Sequence, residues 1–109
     1  MAKFVTIGYG DEAGYSQTAS EVRDAAHAHD ALLVKAGALV ERVGQPVQVR
    51  NPDDTGVQTK NVAFMETPLP IAGFAIVEAA DIDEAIEMVS KAPCAIAHGV
   101  VEIWPMLDS

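Results

Sequence analysis

A single cysteine, Cys94, occurs among the 109 residues of the chain. That excludes an internal disulfide framework and predicts a reducing, cytoplasmic setting. Aromatic side chains make up only 6 % of the residues, so any core must be built mostly from aliphatic groups. Positive charge is also scarce: 7 Lys and Arg stand against 16 Asp and Glu, a formal net charge of −9. A surface of that sign repels phosphate backbones and anionic lipid, so neither nucleic acid nor a membrane is expected as a partner. No apolar run approaches the ~20 residues that span a bilayer. The opening MAKFVTIGYG lacks the long apolar stretch of a secretory leader. CxxC, HExxH and GxSxG patterns are missing, and the GYG at 8–10 lacks the rest of a dinucleotide fingerprint. Accordingly, no metal and no cofactor is expected.

What is present suits one globular domain over 1–109. Half the residues are apolar, and the length matches a single folded unit. KFVTIGY (3–9) is β-branched and closed by glycines, which predicts a strand, and GDEAGYSQ then reads as a loop. Thr18 and Glu21 have capping-box spacing and predict a helix that runs to Gly37. Val22, Ala26, His29, Leu33 and Ala36 form its apolar stripe, while Arg23, Asp24, His27 and Asp30 fall on the outer face. ALVERV (38–43) is a second strand. PVQVR (46–50) and TKNVAF (59–64) flank the turn-rich NPDDTG and predict an excursion or hairpin, followed by an irregular METPLP. GFAIVEA (73–79) reads as a central strand. DIDEAIEMVSKAP (81–93) is a helix capped by Asp81 or Asp83, with Ile82, Ala85, Ile86 and Val89 inward. In the last strand, HGVVEIWPM (98–106), Val100, Glu102 and Trp104 alternate with Val101, Ile103 and Pro105.

This order, βαβ, a small hairpin insertion, then βαβ, predicts an α+β, ferredoxin-like βαββαβ fold. Two helices cover one face of such a sheet. The other face also carries apolar residues, and a second copy is the simplest cover for it, so a homodimer is expected.

Several stretches resemble YCII-related proteins, in particular their DGPF subgroup. GYGDEA (8–13) is similar to the end of the first strand, LVKAGALV (33–40) to the helix-to-strand passage, and AFMETPLPIAGF (63–74) to the stretch around the name motif. DIDEAIEMVSKAPCA and HGVVEIWPM are similar to the second helix and last strand. The resemblance implies a ferredoxin-like subunit paired into a dimeric α+β barrel. The family it points to has no settled activity. Enzymatic work on a small molecule has been suggested for it, and some members are encoded beside extracytoplasmic-function sigma factors. The name motif is here Asn61-Val62-Ala63-Phe64, the last-strand arginine is Trp104, and the His/Asp pair of some relatives is replaced by Ala26 and Ala92.

Two functional readings follow. In the first, the protein is a small-molecule-binding homodimer whose residues permit cofactor-free acid/base chemistry. In the second, it is a non-enzymatic interaction or regulatory module linked to transcription. For the first, His29 and Glu66 are the candidate catalytic groups, and Tyr9, Glu102, Trp104 and His98 the candidate ligand-binding groups. His29 is either a core histidine bonded to backbone or an imidazole reaching a cleft. Glu66 is either a ligand contact or a loop cap. His27 and His29 lie about 200° apart on a helix and so do not share one metal ion. Tyr9 offers a hydroxyl, Glu102 an acid that needs a partner, and Trp104 an apolar surface for an aromatic ligand.

Overall fold

The computed structural model describes residues 1–107. Strands β1 (Ala2–Tyr9), β2 (Leu39–Arg42), β5 (Ile71–Ala79) and β6 (Val100–Pro105) form one sheet in the order β2-β5-β1-β6. Each neighbouring pair is antiparallel. With helices α2 (Ser20–Lys35) and α3 (Ile82–Ser90) as the two crossovers, this is an α+β arrangement of ferredoxin-like order. The short strands β3 (Gln48–Arg50) and β4 (Gln58–Lys60) pair only with each other, as a separate hairpin inserted between β2 and β5.

The register sorts the sheet into two faces. Phe4, Thr6 and Gly8 lie opposite Val77, Ala75 and Gly73 on one side and Pro105, Ile103 and Val101 on the other. This is the helix-covered face. Phe4, Val77 and Ala79 pack there against Ala85 of α3 to form the core. Burial of side chains such as Phe4 and Val77 contributes about 2 kcal/mol each. The opposite face carries Val5, Ile7, Tyr9, Phe74, Ile76, Glu102 and Trp104. Trp104 is 52 % exposed and Leu39, on the same face, 48 %. The alternation expected for the last strand is therefore present.

Three local expectations need correction. The stretch read as a loop contains helix α1 (Glu12–Gln17), capped where the Gly14 N–H donates to Asp11 Oδ1 at 2.8 Å. Gly14 disguises it, because glycine inside a helix is unfavourable. Here it is required: a Cβ at Gly14 would run into the carbonyl oxygen of Ala97. The Thr18–Glu21 capping box does not form. The Thr18 hydroxyl donates back to the Gly14 carbonyl at 2.9 Å and closes α1, and α2 begins after Ala19 without a side-chain cap. Finally, the second long helix ends at Ser90, and Pro93 opens another short helix, α4 (Pro93–Ile96), instead of merely stopping the first.

Several other expectations are met. Helix α2 ends before Gly37, whose φ is +110°. Asp81 caps α3, its Oδ1 accepting from the Glu84 N–H at 2.9 Å. Of the two apolar stripes, Ala26 and Leu33 of α2 and Ala85 and Val89 of α3 are buried. The rest of each stripe is a correction: Val22 and Ala36 of α2 and Ile82 and Ile86 of α3 are exposed, because only the middle of each helix rests on the sheet.

Candidate functional site

Between the helix-covered face and helices α1, α2 and α4 lies a cleft of about 810 Å³. Its floor is β1, β5 and β6, through Thr6, Gly8, Ala75, Val77 and Val101. Ala75 projects little from the floor, and the Cys94 side chain takes the space above Gly8, where a Cβ would lie 2.8 Å from its Sγ. Leu33 of α2 and Ala97 after α4 add apolar wall, and Cys94 stands beside Gly8. The titratable residues along the lining include Glu12, Tyr15, His27, Asp30 and Arg42.

Two elements bring three of these together. Helix α1 carries Tyr15, whose hydroxyl shares a hydrogen bond of 2.9 Å with His27 Nε2 on α2. The Arg23 guanidinium lies 4.6 Å from the Tyr15 ring centroid and holds the phenol against α2. Asp30 follows His27 by three residues and so lies on the same side of the helix. Burial pushes its carboxyl above the usual carboxylate range, and the nearby charges of His29 and His27 work in the opposite direction. Burial likewise pushes the Cys94 thiol up, and the negative charge of Asp30 adds to that. Cys94 is therefore a protonated wall residue at neutral pH rather than a thiolate. The arrangement is an apolar cleft with a carboxyl group readier than usual to hold a proton and an imidazole–phenol pair at its edge.

The sequence-predicted residues divide between the two sides of the sheet. On the open face the Tyr9 hydroxyl donates to Glu102 Oε1 at 2.5 Å and lies 3.5 Å from Met65 Sδ. The bond to Glu102, then burial, then the Glu102 charge hold the Tyr9 phenol above its ordinary range. A register shift between Gly8 and Tyr9 in the pairing with β5 places this ring at the end of β1. Trp104 shares that face. His29 lies on the other side of the sheet, in the helix layer. Its Nε2–H donates to the Met88 carbonyl of α3 at 2.5 Å, and a carbonyl partner requires that nitrogen to carry the proton. Glu66 is exposed on the connection leading to β5. His98 is exposed at a positive-φ turn (φ 63°) ahead of β6. The structure thus joins Tyr9 to Glu102 and leaves His29, Glu66 and His98 apart from that pair.

Asp30 corrects the outer-face assignment: it is half-buried and lines the cleft, and His27 stands at the cleft edge beside Tyr15. A signal for Asp30 was present. It stands four residues after Ala26 and three before Leu33, the two buried positions of α2, so it belongs to their stripe. Among the described residues, no group of three or more His, Cys, Asp or Glu side chains is placed to hold a metal ion. No helix there is long and apolar enough to cross a membrane.

The family model for the YCII-related domain matches residues 2–108. No curated protein matches the chain significantly.

Proposed function

The chain belongs to the YCII-related family, and on that basis we propose that it binds a small, largely apolar molecule in the helix-side cleft and works as a homodimer. The observation that carries the reading is the cleft itself. Its 810 Å³ falls within the roughly 300–1,000 Å³ typical of small-molecule sites. Its lining pairs apolar wall with a few convergent polar groups. Asp30, whose carboxyl burial holds above the usual carboxylate range, is the cleft's candidate group for giving or taking a proton. The bonded Tyr15 and His27 stand at the cleft edge, where they can hydrogen-bond a polar group of the bound molecule. This is acid/base chemistry from the chain's own residues, without a cofactor.

The homodimer reading rests on the open sheet face. It is broad and apolar, with Leu39, Val100 and Trp104 each roughly half exposed. A second copy's sheet would cover it and complete an α+β barrel with Tyr9, Glu102 and Trp104 inside. Membership of the DGPF subgroup, a single-domain organisation and a cytoplasmic location belong to the same proposal.

A fragment screen followed by isothermal titration tests the cleft. Compounds that raise the melting temperature of the wild type should bind Asp30→Asn and His27→Ala about tenfold or more weakly, a loss of ~1.4 kcal/mol. Unchanged affinity in both variants would move the binding site elsewhere. Failure of any fragment to bind would remove the small-molecule reading.

A further inference from the structure

The connection between β2 and β5 runs from residue 43 to residue 70, although a few residues suffice to join adjacent antiparallel strands. The added length is taken up by a hairpin of its own, β3 and β4. The connection makes the molecule less compact. Its radius of gyration is 15.8 Å, against about 13 Å for a compact chain of this length. The β3–β4 hairpin forms its own two-stranded sheet, and such a hairpin is marginal in water without cover.

The hairpin has one distinctive face. The pairs Gln48↔Lys60 and Arg50↔Gln58 put these four side chains on the same side. The following chain folds back along them: Gln48 Nε2 donates to the Val62 carbonyl at 2.8 Å, and the Arg50 guanidinium lies 5.6 Å from the Phe64 ring centroid. Phe64 is 77 % exposed, so it is not seated on the sheet of its own chain. The face is cationic and aromatic, and its strand positions carry no acid. The open face of the main sheet has the reverse character. Glu41, Glu78 and Glu102 share it with Lys3, and stacking two such faces alone would bring carboxylates of like charge together.

We propose that the hairpin is an exchanged arm: the Arg50–Lys60–Phe64 face of each protomer docks on the acidic rim of a second copy's open sheet face. The inference rests on the sheet-face homodimer above and adds the contact that neutralises it. Arginine stacked on an aromatic ring is the kind of anchor that dominates interfaces, and opposite charge across the contact selects the partner.

Charge exchange tests it. One protein carries Arg50→Glu and Lys60→Glu, the other Glu41→Lys and Glu78→Lys, all at exposed positions. Sedimentation equilibrium at low salt should show each alone dimerising about tenfold or more weakly than wild type. A mixture should recover a heterodimer, because both arm-to-face contacts become complementary. Phe64→Ser should weaken the dimer without altering charge, and circular dichroism checks that each variant is folded. If the arm variants dimerise like wild type while Trp104→Glu does not, the arm proposal falls and the sheet-face dimer stands. Dissociation by Val49→Asp but not by the arm charge reversal would overturn it in favour of the hairpin's other face. A wild type that stays monomeric at high concentration overturns both.

Discussion

Tyr9 is a buried phenol, 4 % exposed, with its hydroxyl 2.5 Å from a carboxylate. Such a bond stabilises the neutral phenol and opposes its ionisation, because a phenolate beside Glu102 would place two anions together. The contribution to folding is therefore present below the ordinary phenol range and is lost as pH rises through the elevated pKa of Tyr9. Ultraviolet titration at high pH should show one tyrosine ionising late. Tyr9→Phe should remove that phase, and Glu102→Gln should move it to lower pH. Urea unfolding of Tyr9→Phe should show a loss of about 1 kcal/mol, since Glu102 is half-buried and water replaces part of the bond. A single ionisation phase for both tyrosines in the wild type would contradict the burial and the bond together.

At the scale of the element, α1 carries the sharpest contest between local and tertiary terms. Helix propensity favours alanine over glycine by about 1 kcal/mol in a helix interior. The Ala97 carbonyl, which crowds the site of a Cβ, opposes it. The neighbour is backbone rather than a flexible side chain, so the clash wins. Gly14→Ala should lower stability by roughly 1–3 kcal/mol in denaturant melts, as overpacking does, and should loosen the Tyr15–His27 contact. A stabilised variant would show that α1 does not press on the turn before β6.

The same helix explains where sequence reasoning stopped. Elements whose pattern is set by their own burial were readable: the alternation of β6, the apolar β5, the Asp81 cap and the paired strands around NPDDTG. Tyr9 and Glu102 were separate ligand-side candidates, and their direct bond depends on two strands adjacent only in the fold. The glycine of α1 is chosen by a carbonyl far along the chain, and Thr18 serves α1 rather than α2. Neither choice has a local signature. Asp30 was assigned outward by its charge although its spacing pointed inward. Its half-buried place follows from its position between Ala26 and Leu33, the buried residues of α2, on the helix side that lines the cleft.

For the molecule as a whole, Asp30 links the cleft to stability. A carboxyl raised by burial binds its proton more tightly in the folded chain than in the unfolded one. Its contribution is fully favourable below the unfolded value, about 3.9, and is lost as pH climbs through the raised folded value. Once ionised, the group is therefore a cost to the folded state. Asp30→Asn keeps the shape and removes the titration. Its melting temperature should exceed that of wild type at pH 8 and converge with it near pH 4. A ligand that occupies the cleft with a hydrogen-bond donor toward Asp30 should reduce the pH 8 gap. A wild type more stable than Asp30→Asn at pH 8 would mean that the carboxylate is held by a charge partner, and the proton-exchanging role of the cleft would go with it.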